Sequence, residues 1–366
     1  MLCTSVIRST TFAVIMAGVA ALASGTSVSA TPNKTTHLLA MGGCPPWKVI
    51  EGDAKATQQM AESCQKDVDV IVAGFKKALS LPDANIITRV DEEATADGVR
   101  QALRDLDKRA KAEDRVVIYF NFHGGNIDAN YNGYDIEDEV LAMYTAEEPK
   151  DFRAATLHGD WMPMKSIRDL VNEIDAEEII LIFEVCEVAA GYKNFRYNMS
   201  RRAQKEWRGR EAVIFTSRGD QSAAFNEEGT MALFTDIFSN GLKSATSGNM
   251  RDIFEEAALD VNRSRRAVCM KDENLETLYD NEAVYLHACT QLPLVYDPYG
   301  LMDDIYLGGS TMASRWHDLR DRRHASTNTA TTTTEDPFAW AQNFMQPRAQ
   351  AHPQSPIMPV GPYSSY

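Results

Sequence analysis

Two places in the chain put a chemically useful residue directly after an unbroken apolar run. Arg115 to Phe122 (RVVIYFNF) is followed by His123-Gly124-Gly125, and Glu178 to Val185 (EIILIFEV) is followed by Cys186. Runs of this kind read as strands buried on both faces. Ligands of open parallel sheets bind outside the carboxyl ends of the strands, so both residues would border one crevice. An imidazole beside a thiol is the pair that cysteine hydrolases need: the imidazole draws the proton, and the thiolate attacks a carbonyl. Gly124 would let backbone approach a substrate closely, and its N–H together with that of Cys186 would hold the developing oxyanion. The plainer alternatives are a His-Gly turn and a cysteine acting as a small hydrophobe.

The elements that must position this pair are legible around it. Thr35 to Met41 reads as a strand ending at Gly42-Gly43, and Ala54 to Leu79 carries Met60, Val68, Ile71, Val72, Phe75 and Leu79 at helical spacing. Ala84 to Val90 is strand-like, and Thr95 opens a helix through Val99, Leu103 and Leu106. A polar stretch, Gly124 to Asp160, precedes a helix around Met164 to Ile174. Ala212 to Thr216 and Ala283 to Leu286 read as further strands, and Met231 to Leu242 and Met250 to Arg265 as helices. Apolar strands alternating with helices give an α/β class, a mostly parallel central sheet with helices on both faces.

With 37 Lys and Arg against 52 Asp and Glu, the 366 residues have a formal charge of −15, and 44% are hydrophobic. That composition suits one large or two small globular domains and argues against a general nucleic-acid binder, which needs a basic surplus. Arg8, the apolar run Phe12 to Ala23 and the small residues Val28-Ser29-Ala30 read as a signal peptide cleaved after Ala30. About a dozen apolar residues fall short of the roughly twenty that span a bilayer, so export is expected with no stable membrane span afterwards. The domain between 36 and 307 is followed by a Ser-, Thr-, Pro- and Gln-rich tail, 308–366, that cannot bury a core.

Export changes the reading of the cysteines. Cys44, Cys64, Cys186, Cys269 and Cys289 remain once Cys3 leaves, an odd number in a compartment that permits disulfides. Pairing Cys44 with Cys64 and Cys269 with Cys289 is the most local of the three arrangements open to these four, and spacing alone does not choose among them. The chain contains no GxSxG elbow, which excludes an α/β-hydrolase, and neither HExxH nor CxxC, which removes the usual zinc hydrolases.

The residues around the pair resemble a known family. YFNFHGG (Tyr119 to Gly125) looks like the histidine motif of the caspase and metacaspase cysteine peptidases, and IFEVCE (Ile182 to Glu187) like their cysteine motif. The resemblance runs from about Thr36 to Leu307 and includes the acidic segment DANYNGYDIEDE and the stretch Phe215 to Phe238. It implies a caspase-like three-layer sandwich with His123 as base and Cys186 as nucleophile. It also implies peptide or protein substrates, with Glu184, Asp135, Ser217 and Ala224 lining the substrate site. The chain departs from metacaspases in having Glu184 where Asp is usual and Glu187-Val188-Ala189-Ala190-Gly191 after the cysteine; Glu-x-Cys-Glu is also similar to legumain-like peptidases of the same clan. The alternative reading is a catalytically inactive caspase-like domain that binds peptides or partners.

Two finer expectations follow. Asp128-Ala129-Asn130-Tyr131-Asn132-Gly133, with Glu139 at the twelfth position, fits a calcium-loop pattern in which Asp128, Asn130, Asn132 and Glu139 supply oxygens. Resemblance to metacaspases, many of which need calcium, agrees. Glu184 is the acid that by resemblance selects Arg or Lys before the scissile bond, with Asp128 and Asp135 as second acids. Self-cleavage is then expected between Lys193 and Arg210, where the basic residues face one acid, Glu206.

Overall fold

A computed structural model describes residues 34–45, 54–127, 138–149, 155–156, 159–186, 209–218, 221, 223–271 and 289–308. The signal-peptide reading and the C-terminal tail beyond Gly308 fall outside these residues. So do Asp128, Asn130, Asn132 and Asp135, the strand expected at Ala283 to Leu286, and all but Gly209 and Arg210 of the basic segment.

The elements are β1 (Thr36–Gly43), α1 (Ala54–Leu79), β2 (Ile86–Val90), α2 (Ala96–Arg109), β3 (Arg115–Ile127), β4 (Asp138–Ala142), β5 (Met162–Pro163), α3 (Met164–Val171), β6 (Glu178–Glu184), β7 (Arg210–Phe215), α4 (Leu233–Ser244), α5 (Met250–Lys271) and β8 (Leu294–Tyr296). The main sheet runs β2-β1-β3-β6-β7-β8; its pairs are parallel except the last, β7 with β8. It is the middle layer of a three-layer α/β sandwich.

Each strand alternates its side chains between two apolar cores, which is why the runs are apolar without a break. On one face Leu39, Met41, Ile118, Phe120, Leu181 and Phe183 pack under α2 and α3. Phe120, Phe183 and Phe215 stack across three strands with ring centroids 4.9 and 5.4 Å apart. On the other face Leu38, Ala40, Tyr119, Ile180, Ile182 and Ile214 meet α1, α4 and α5. Burial of one such Leu, Ile or Phe side chain contributes about 2 kcal/mol, so the two cores hold the sheet rigid and its strand ends at fixed heights.

Helix starts follow local chemistry. Thr95 caps α2, its side chain accepting from the Gly98 N–H, and Asp97 then Lys108 and Arg109 complement the helix dipole at its two ends. α1 lies so close to the end of β1 that a Cβ on Gly42 would stand 3.0 Å from Val68 and 3.2 Å from the Cys64 carbonyl, so any side chain there would require α1 to give by a few tenths of an ångström.

The disulfides take the local arrangement, Cys44–Cys64 and Cys269–Cys289, each closing a separation of 20 residues. Cys44–Cys64 fastens the residue after β1 to α1. Cys269–Cys289 fastens the last turns of α5 to the segment entering β8. A loop of that size stabilises a fold by about 3 kcal/mol in the chain-entropy account. Among the described residues no helix is long and apolar enough to cross a membrane.

The sequence pattern misses three strands. β4 lies inside the stretch read as polar, β5 is a two-residue strand between that stretch and α3, and β8 is three residues long and half-buried. β3 also continues five residues past Phe122, pairing antiparallel with β4 from His123↔Ala142 to Ile127↔Asp138.

Candidate active site

His123 and Cys186 each follow the parallel pairing of β3 with β6 by two residues. β3 and β6 pair in parallel from Arg115↔Glu178 to Asn121↔Glu184, so two residues further on His123 stands opposite Cys186 if the register is carried forward. Adjacent strands lie about 4.8 Å apart. Alternation along β3 puts His123 on the face of Tyr119 and Asn121, the α1/α4 side. His123 is also where β3 exchanges one neighbour for another: its pairing with β6 ends at Asn121, with β1 at Phe122, and pairing with β4 begins at His123. Gly124, the expected oxyanion residue, is half-buried and pairs with Leu141.

Cys186 is the described cysteine that stands outside both disulfides, and it is partly exposed. Its Sγ accepts from the Ala223 N–H at 3.3 Å. An N–H aimed at sulfur favours the thiolate, the form that attacks.

Beneath the pair lies a buried acid network. Glu184, 3% exposed, accepts from the hydroxyls of Thr216 and Thr235, each at 2.8 Å, and from the Thr235 backbone N–H. Asp67 of α1, 1% exposed, accepts from Asn121 Nδ2 at 2.8 Å and from the Ala232 N–H at 3.0 Å. The Tyr119 hydroxyl lies 2.7 Å from that of Thr235. The first turn of α4 thus finds its acceptors in two carboxylates from other elements, at the end where the helix dipole favours negative charge. Burial pushes the Glu184 carboxyl up to about 7, against the pull of the threonine donors. Asp67 is raised well above the usual carboxylate range by burial and then by the Glu184 charge.

This geometry changes the expected role of several residues. β6 ends at Glu184, two residues before Cys186, and the Glu184 oxygens are taken by hydroxyl donors inside the core, so in this conformation it presents no open carboxylate to a substrate. Ser217 and Ala224 are likewise buried. Ser217 Oγ donates to the Val185 carbonyl at 3.1 Å, and the Ala224 N–H donates to Gln291 Oε1 at 2.9 Å. They brace the wall beside Cys186 and do not face outward. Of the calcium ligands only Glu139 is described; it is buried on β4 opposite Asn126. No cluster of three potential metal ligands occurs among the described residues.

Asp67, Asn121, Thr235 and Gln291 were not singled out from sequence. Asp67 carries a readable signal, since it falls on the same helical face as the buried Cys64, Val68 and Ile71, and an acid inside an apolar stripe must have a partner.

No family model matches the chain, and no curated protein matches it. Among solved structures, a crystal structure of a protein from Geobacter sulfurreducens is similar with 14% identity and a TM-score of 0.44, over 74% of this chain and 97% of that one.

Proposed function

We propose that the chain is an exported cysteine endopeptidase with Cys186 as nucleophile and His123 as general base. The observation that supports this reading above others is the β3–β6 register. It supports the reading because an imidazole on β3 and the thiol outside the disulfides each follow, by two residues, the last parallel pair of β3 with β6.

The chemistry follows from the residues. His123 takes the thiol proton; Sγ bonds to the substrate carbonyl carbon; the oxygen becomes an oxyanion facing the N–H groups of Gly124 and Cys186. The C–N bond then breaks as His123 returns the proton to the departing amine, leaving a thioester. Water, deprotonated by His123, attacks the thioester and releases the acid, restoring the thiol. The two disulfides suit an oxidising compartment and support export.

Cleavage after Arg or Lys is the finer part of the proposal. Two carboxylates buried side by side beneath the nucleophile would be relieved by a cationic side chain, whereas Asp or Glu would be repelled. Substrate would have to displace the threonine hydroxyls or the Ala232 contact to reach them. Labelling by a peptide ketone with a leaving group on its α-carbon tests the main reading. Wild type should be alkylated and Cys186→Ala should not. Hydrolysis of a peptide panel should fall by about a thousandfold or more in Cys186→Ala and His123→Ala. Unchanged hydrolysis would overturn the assignment, and peptide binding without turnover in wild type would select the inactive binding domain.

A further inference from the structure

Gln291 is 0% exposed, and its amide reaches two separate stretches of chain. Nε2 donates to the Thr216 carbonyl at 2.8 Å, and Oε1 accepts from the Ala224 N–H at 2.9 Å. Those stretches flank the site from below and from the side: Thr216 follows β7 and holds Glu184, and Ala224 is next to Ala223, whose N–H meets the sulfur of Cys186. The segment carrying Gln291 is itself anchored, by the Cys289–Cys269 disulfide two residues before and by the Leu292 N–H, which donates to Gln221 Oε1 at 3.0 Å.

Ala224 packs into the core against α1, α4 and α5, and Phe225 bridges Ala232. The described partners of residues 221–224 come from Gln291, Leu292 and Cys186, from the Arg218 carbonyl that accepts from the Gln221 N–H, and from the Ala224 carbonyl that accepts from the Leu233 N–H. Ala223 and Ala224 have no side-chain polar group with which to anchor themselves. A glutamine presents a donor and an acceptor on one planar group, so both bonds fix the distance between residues 216 and 224. A buried apolar residue of the same size would leave a carbonyl and an N–H unpaired.

We propose, resting on Cys186 as the nucleophile, that Gln291 is a positioning residue: it clips the 216–224 wall so that the Ala223 N–H stays aimed at Cys186 Sγ and favours the thiolate. The Ala223 carbonyl lies 4.0 Å from the same sulfur. That carbonyl belongs to the next peptide group, the one whose Ala224 N–H is held by Gln291, so a displacement of residues 223–224 changes the balance of donor and acceptor around the sulfur.

The test is the pH dependence of Cys186 alkylation by iodoacetamide in the full, disulfide-intact chain, read by mass spectrometry; it needs no peptide substrate. Gln291→Met matches the side chain in size and makes neither bond. Its alkylation midpoint should lie higher than that of wild type by about one pH unit, with alkylation near neutrality slowed by up to about tenfold. Gln291→Asn, one methylene short of spanning both partners, should move the midpoint in the same direction and answers the question if the methionine variant does not fold. A wild-type midpoint in either folded variant overturns the proposal. A shifted midpoint in a chain that hydrolyses no peptide would sustain the role of Gln291 while removing the peptidase reading, so the two failures are distinct. Far-UV circular dichroism separates either result from a general loss of fold.

Discussion

Strand β6 begins and ends on a glutamate, and the two are buried to almost the same degree in opposite company. Glu178 is 1% exposed at the N-terminal end, where Arg115 Nη2 lies 2.6 Å from one oxygen and Arg210 holds the other, Arg210 in turn reaching Asp304. Glu184 is 3% exposed at the C-terminal end, where its side-chain partners are the neutral hydroxyls of Thr216 and Thr235. The first is a carboxylate whose charge is compensated in place. The second holds its charge at a cost, and burial raises its carboxyl to about 7. The difference teaches where the molecule keeps electrostatic imbalance: the end remote from the proposed pair is neutralised, and the end beneath it is left responsive to protons and to any cation that arrives.

Removing the compensated acid should have the largest effect on stability. Glu178→Ala leaves Arg115 and Arg210 without their shared partner in a largely buried place, and we expect a loss of about 3–5 kcal/mol in denaturant unfolding. A loss below about 1 kcal/mol would show that the two ends do not differ as described.

Glu184→Gln should act in the other direction. A carboxyl whose folded pKa of about 7 exceeds its ordinary 4.5 binds more protons in the native state than in the unfolded one over that interval, so stability falls as pH rises from about 4.5 to 7. The penalty is complete above 7 and on the order of 3 kcal/mol at about 1.4 kcal/mol per pH unit. Glutamine cannot ionise, so the variant should show a flatter pH–stability curve, with the slope left by Asp67 still present. It should gain most, relative to wild type, near pH 8. In a peptide panel the same variant should narrow the preference for Arg and Lys. A preference left intact would place the selecting charge elsewhere, with Asp128 and Asp135 the next residues to change.

The two ends also differ in how much of them a reader of the sequence could see. The strands carrying the pair are legible because burial on both faces leaves no polar residue to interrupt them. Both chemical residues are legible because they stand where that constraint stops. α1 is legible from Ala54 to Leu79 because its apolar stripe is long. β4, β5 and β8 are not, since strands of two to five residues carry too few alternations to show a period. The supports of the site are hidden for another reason: Asp67 finds Asn121 across 54 residues and Gln291 finds Thr216 across 75, and nothing local in the chain announces such a partner. Glu184 invited the opposite error, because its spacing from Cys186 suggested an acid open to substrate and said nothing of the threonines that occupy it.

Calcium would add a further charge beyond β3, near the same end. Asp128 and Glu139 are the charged members of the expected ligand set, and so few charges imply affinity no tighter than about 0.1–1 mM. Isothermal calorimetry should show binding in that range, and at ten times the dissociation constant the fold should gain about 1.4 kcal/mol, both effects being lost in Asp128→Ala. Absence of heat at millimolar calcium, with hydrolysis indifferent to chelator, would remove calcium from the site.

The smallest effect tests whether the buried acid and its hydroxyls act as one unit. Thr235 bonds Glu184 through its hydroxyl and lies within hydrogen-bond distance of the Tyr119 hydroxyl. Thr235→Val keeps the shape and removes both contacts, which should destabilise by about 1–2 kcal/mol near neutral pH, since a buried hydroxyl and a carboxylate oxygen each lose a partner. In the Glu184→Gln background the charge-assisted part of that loss is already gone, so the same substitution should cost less. The coupling energy from the double-mutant cycle should be about 1 kcal/mol. It should shrink at pH 5, where the wild-type carboxyl is mostly protonated, because a neutral acid gains less from a hydroxyl donor than a carboxylate does. A coupling that is zero, or that does not change between pH 5 and pH 8, would mean that Glu184 is held by packing alone, and the contrast with Glu178 would then be one of surroundings without consequence for charge.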